Sequence, residues 1–88
     1  MVEKTERIKP ENLFNKQVMT NTGKKLGIIK DLVFETSSGE IVYVVLTNPT
    51  QFALTLNLEQ TKEKDLLIPW HAITAFGDFI VVDEKDLL

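Results

Sequence analysis

No cysteine occurs among the 88 residues. That excludes disulfides, thiolate zinc sites, iron–sulfur clusters and thiol nucleophiles, and it leaves the fold to apolar packing. Histidine is nearly as scarce, with His71 alone. Zinc is normally held by three or four protein ligands, so a single imidazole beside Trp70 reads as structural or solvent-facing, and no metal is expected. No stretch approaches the roughly 20 apolar residues of a membrane span. The opening Met1–Arg7 is charged, with no apolar run of the kind a signal peptide carries. A soluble, cytoplasmic protein is the expectation. Basic charge is also short: ten Lys and Arg stand against thirteen Asp and Glu, for a net charge of −3. Nucleic-acid binding draws most of its affinity from cations that neutralise phosphates. The nearest approach to a basic patch, Lys24-Lys25, reads as a solvated turn, so no direct nucleic-acid contact is expected.

Catalytic signatures are missing as well. The chain holds no Gly-rich phosphate loop, EF-hand loop or dinucleotide fingerprint. Ser37 and Ser38 sit in a turn composition, where serine belongs for ordinary reasons, and no nucleophile–base motif surrounds them. The carboxylates Asp83, Glu84 and Asp86, with Lys85 between them, read as solubilising, and 85–88 is expected to be a C-terminal tail. Neither an enzyme nor a cofactor is expected.

What is present is a short globular chain. An apolar fraction of 43% with 26% charged residues is close to the globular average, so disorder is not indicated and a small core is feasible. Residues 1–9 read as a charged lead-in and 10–84 as one domain. Pro10-Glu11-Asn12-Leu13-Phe14 reads as one helical turn closed by Asn15, a residue that tolerates the left-handed region. Val18–Thr20 is a short strand and Asn21–Lys24 a turn. Leu26–Glu35 is a longer strand, in which Gly27 marks a close approach and the phase shift at Lys30-Asp31 marks a bulge. Asp31 then serves as a bulge residue or backbone cap. Thr36–Gly39 connects to the strand Glu40–Thr47, the clearest hairpin in the chain. Phe52, Leu54, Leu56 and Leu58 alternate with Ala53, Thr55, Asn57 and Glu59, and this period of two predicts a strand with one buried face. Gln60–Lys64 is a turn, Asp65–Pro69 a strand, Trp70–Ile73 a single turn, and a Gly77-Asp78 hairpin closes the chain with Phe79–Asp83. Short strands with close polar turns predict an all-β sandwich or barrel.

One strand is apolar on both sides. Val42, Val44 and Leu46 fall on one face of it, and Ile41, Tyr43 and Val45 on the other. A small barrel wets one face of each strand, so a second molecule is expected on the surplus. The first face is the expected two-fold homodimer surface, the second is its fallback, and Trp70 is a further interface candidate that competes with a core role.

Three segments carry a family resemblance. Asn15–Val18, Gly23–Leu32 and Gly39–Val45 resemble the opening half of a PRC-barrel domain. Ile68–Ile73 with Phe76–Asp83 resembles its closing half. The resemblance implies a small six-stranded β-barrel with one or two short helical turns. It departs from the usual pattern at Asn15, where glycine is common, and in the stripe Gln51–Leu58. Such barrels occur in the photosynthetic reaction-centre H subunit, in the ribosome-maturation factor RimM and in small stand-alone archaeal proteins, some linked to cell division. What the resemblance implies is protein–protein docking without catalysis. The stand-alone class is the nearest, which makes an adaptor on a cytosolic partner the leading expectation, with cell division as the setting the resemblance implies. A ribosome-associated factor docking on a ribosomal protein is the rival.

Overall fold

The computed structural model describes residues 10–87. Six strands form one sheet: β1 (Gln17–Thr20), β2 (Lys25–Phe34), β3 (Ile41–Thr47), β4 (Leu66–Pro69), β5 (Ile73–Ala75) and β6 (Phe79–Val82). Their order across the sheet is β4-β3-β2-β1-β6-β5. All neighbours pair antiparallel except β1 and β6, which run parallel. Residues from all six strands meet in one apolar cluster that includes Val18, Leu26, Val44, Ile68, Ile73 and Ile80. A single sheet can bring all its strands to one core only by curling.

The all-β class therefore holds, but the barrel is not closed. The edge strands β4 and β5 do not pair with each other. The chain passes between them through a 3-10 turn at Trp70–Ala72. Pro69 lies at the end of β4 and has no N–H to offer a further ladder. Helical turns are also more numerous than expected. Besides Trp70–Ala72 there are 3-10 turns at Pro10–Asn12 and Glu84–Leu87, and a four-residue helix α1 at Gln51–Leu54.

Helix α1 overturns the strand expected over 52–58. Thr50 follows Pro49 in an extended conformation and caps the turn: its Oγ1 accepts the Ala53 N–H at 3.2 Å and donates to the Lys25 carbonyl at 2.6 Å. With the backbone helical, Ala53 is the residue that reaches the core and Leu54 is left 49% exposed, the reverse of a period-two stripe. Phe52, Leu56 and Leu58 pack against the core only in part. Asn57, at φ 59°, breaks any extended run beyond the helix.

The C-terminal segment is likewise no free tail. Its 3-10 turn sends Leu87 into the core cluster. Thr22 Oγ1 donates to Glu84 Oε1 at 2.6 Å, and the Asn21 side chain accepts from the Glu84 N–H at 3.1 Å. Other expectations stand as read. Asn15 has φ 68° and occupies the left-handed position where glycine is common in the resembled family. A Cβ on Gly27 would meet the Thr47 carbonyl oxygen at 2.9 Å, so β3 does pass tightly over it. The pairing slips between Ile29 and Asp31, and Asp31 caps the following N–H, with Oδ1 accepting from Leu32 at 2.8 Å.

Candidate docking face

Register across β2, β3 and β4 sorts their side chains, because directly paired residues share a face. Leu32 pairs with Val44 and Val44 with Ile68. Ile29 pairs with Leu46 and Leu46 with Leu66. All six belong to the core. Val33 pairs with Tyr43 and Tyr43 with Pro69, while Asp31 pairs with Val45 and Val45 with Leu67. These six form the outer face.

The expected interface residues divide accordingly. Val44 and Leu46 have no exposed surface and face inward, so the face built on Val42, Val44 and Leu46 does not exist as a surface. A second slip in pairing, Val33 with Tyr43 and then Phe34 with Ile41, leaves Val42 as the bulged residue. That bulge turns Ile41 into the core and leaves Val42 38% exposed. Of the fallback set, Tyr43 and Val45 do share the outer face, although Val45, flanked by Asp31 and Leu67, is only 7% exposed. Trp70 belongs to the core and packs on Phe76 with ring centroids 5.6 Å apart, yet it also lines an open hollow. That hollow, of about 360 Å³, is lined by Ile41, Val42, Tyr43, Pro69, Trp70 and His71.

Val33 (36% exposed) pairs with Tyr43 and Phe34 (46%) with Ile41, two residues that line the hollow, and neither was singled out from sequence. The signal was the unbroken Leu32-Val33-Phe34 run, in which a strand with one wet face cannot hide every member. Tyr43 reaches past β4, and its hydroxyl donates to Glu59 Oε1 at 3.1 Å. That hydrogen bond, together with the Glu59 charge, holds the phenol pKa above its ordinary value. The outer edge of β4 is already occupied. The Leu67 N–H donates to the Glu59 carbonyl at 2.9 Å, Gln60 bridges to Leu66, and Pro69 has no N–H. Strand addition at this edge therefore has little to pair with.

At the far end of β4, Lys30 Nζ meets Asp65 Oδ2 at 2.7 Å. The Asp65 side chain is 12% exposed and the Lys30 side chain 49%, so this is a half-buried pair that neutralises a carboxylate at the rim of the core. The hydrogen bond to Asp65 and then its charge raise the Lys30 pKa. His71 is exposed, and among the described residues no three His, Asp or Glu side chains converge on a point where a metal ion could sit. Among them, too, no helix is long and apolar enough to cross a membrane.

A family model for the PRC-barrel domain matches residues 6–88 of the sequence, which span all six strands and the turn at Trp70–Ala72. The chain belongs to the PRC-barrel domain family. This PRC-barrel protein is also similar to an uncharacterised protein of Methanocaldococcus jannaschii, at 28% identity over 82 residues that cover 93% of this chain and 88% of the relative. An alignment that long carries every strand of the sheet, so the likeness is to the whole domain.

Proposed function

We propose that this protein is a non-enzymatic docking module of the cytoplasm that holds another protein against the outer face of β2, β3 and β4. The observation behind this reading is the row Val33, Tyr43 and Pro69, with the exposed Val42 beside it and an open apolar hollow at its end. Apolar side chains gathered on one face and rimmed by polar residues are how interaction sites differ from singly scattered ones. A photo-crosslinking side chain placed at Val33 or Val42 in living cells tests it. Discrete protein adducts are expected from these positions and not from Thr74 on β5. Equal labelling at all three ends the proposal. The captured partner separates the two settings, a cell-division component from a ribosomal protein.

A homodimer is the second reading, and it draws on a different surface. Phe14 and Phe79 are 40% and 44% exposed. The segments carrying them adjoin, since Asn12, Leu13, Lys16, Phe76, Gly77 and Ile80 line one hollow and Lys16 Nζ donates to the Gly77 carbonyl at 3.0 Å. The expected dimer face has lost Val44 and Leu46 to the core. Mass in solution at about 100 µM, where a ~−6 kcal/mol dimer is well populated, decides it: Phe79→Asp is expected to abolish the dimer and Val42→Asp to leave it intact. A wild-type monomer at that concentration ends this reading.

A further inference from the structure

The hollow beside β3 and β4 sits in a stretch of one-sided charge. Residues 31–61 contain four carboxylates, Asp31, Glu35, Glu40 and Glu59, and no Lys or Arg. Two of the four, Glu40 and Glu59, adjoin lining residues of the hollow, and Glu35 lies beside Glu40 with its carboxylate accepting from the Ser37 N–H and hydroxyl at 3.2 and 3.3 Å. Glu40 directly precedes Ile41, a lining residue, and its carbonyl accepts the Glu35 N–H at 2.7 Å, which places both at the tip of the β2–β3 hairpin. Glu59 accepts from the Tyr43 hydroxyl at the other rim. All three carboxylate residues are exposed.

From this geometry we infer that the hollow lined by Ile41, Val42, Tyr43, Pro69, Trp70 and His71 receives a short basic–apolar segment of a partner protein. An apolar side chain enters between Tyr43 and Trp70, and flanking Lys or Arg residues face Glu40, Glu35 and Glu59. The inference rests on the docking reading above and adds the partner's chemistry. Charge complementarity across a rim steers encounter and rejects like-charged partners. A second copy presenting the same face is a poor occupant, because it brings the same carboxylate rim and no Lys or Arg from residues 31–61. Insertion of a side chain, rather than strand addition, follows from the closed edge of β4: the one N–H that points outward is taken by Glu59, and Pro69 has none. The hollow is shallow and its anchor is a single side chain. The affinity should therefore be modest, near ~100 µM for an isolated peptide.

Trp70 is the sole tryptophan of the 88 residues and lines the hollow, so the protein carries its own reporter. The probe is a peptide of about ten residues with two central leucines flanked by lysine and arginine. Its controls carry glutamate in place of every basic residue, or alanine in place of both leucines. Backbone amide shifts and Trp70 fluorescence are followed during titration. The expected result is saturable binding of the basic–apolar peptide, with shifts clustered at 41–43 and 69–71. Binding should weaken at least fivefold between about 0.1 M and 1 M salt, as the screening length contracts from ~10 Å to ~3 Å. The glutamate and alanine peptides should bind at least tenfold more weakly. Glu40→Lys should weaken the basic peptide and strengthen the glutamate one, a reversal that loss of folding cannot mimic. Equal binding of the basic and glutamate peptides overturns the charge assignment while sparing the docking face. Shifts outside the hollow, or no saturation by ~1 mM, overturn the site. Concentration-dependent broadening at 41–43 without peptide identifies a second copy as the occupant and overturns the proposal.

Discussion

Replacing Gly27 with alanine isolates the tightest backbone contact in the sheet. Gly27 lies in β2 beneath the exit of β3, where the chain turns back and Thr50 binds the Leu26 and Lys25 carbonyls. A Cβ there would lie 2.9 Å from the Thr47 carbonyl oxygen and 3.3 Å from Leu46 Cβ. Neither atom is the free end of a flexible chain, so relief requires the backbone of β3 to shift by about half an ångström. Overpacking of that kind costs about 1–3 kcal/mol. The lower entropy of an unfolded chain with alanine returns about 0.4–1 kcal/mol. A net loss of about 1–2 kcal/mol remains, out of a total stability of roughly 4–13 kcal/mol for a domain this size. Urea unfolding followed by Trp70 fluorescence measures it. With a slope near 1 kcal/mol/M the midpoint falls by about 1–2 M at unchanged slope. Gly77→Ala is the control, because its added Cβ meets nothing nearer than 3.9 Å and its stability should stay within about 0.5 kcal/mol of wild type. A Gly27→Ala midpoint equal to or above wild type refutes the close approach.

Three further outcomes follow from the two faces of the sheet, the helix cap and the outer rim. Leu46→Ala should cost about 2–5 kcal/mol as a core truncation, whereas Val42→Ala should stay within about 0.5 kcal/mol; equal costs in thermal or urea unfolding would return Val42 and Leu46 to one face. Thr50→Ala should destabilise by about 1–2 kcal/mol through loss of the cap, with Thr50→Ser recovering most of it, and a neutral Thr50→Ala in urea unfolding refutes the capped helix. Because the pKa values of Tyr43 and Lys30 are both raised in the folded state, their contributions are complete below the unfolded values near 10 and are lost as pH rises through the folded ones. Stability measured by urea unfolding from pH 8 upward should therefore decline above about pH 10, and Tyr43→Phe should flatten part of that decline; an unchanged slope counts against the Glu59 contact.

Much of the sheet was legible because its signals are local. Gly27, the bulge at Lys30-Asp31 and the left-handed Asn15 each announce themselves within a few residues. Two features were not, for separate reasons. The stripe Phe52, Leu54, Leu56 and Leu58 has perfect strand periodicity, and its fate is decided by Thr50, whose hydroxyl both caps the helix and reaches back to Lys25. Asn48-Pro49-Thr50 before an apolar run was the available hint, since threonine is a favoured N-cap. The faces of β3 are hard to read for two reasons. Both sides carry large apolar residues, so composition alone does not say that Val44 and Leu46 rather than Tyr43 and Val45 turn inward, and the bulge at Val42 reverses the alternation for Ile41. Bulges depend on the partner strand, and the partner's register is not written in β3 itself. The docking face was correspondingly half visible: Tyr43 and Trp70 stood out by type, while Val33 and Pro69 join Tyr43 only once three strands lie side by side.

The parallel pairing of β1 with β6 joins Gln17 to Phe79 and Thr20 to Val82, positions some sixty residues apart. During synthesis the β2–β3 hairpin can form from local contacts as soon as it emerges. β1, by contrast, has only β2 beside it until β6 has been made. Contacts between distant parts of the chain delay folding because the loop must close before they are gained. Until β6 emerges from the ribosome the nascent chain therefore carries an open edge at Gln17–Thr20, and it is the sixth strand of the sheet that covers it.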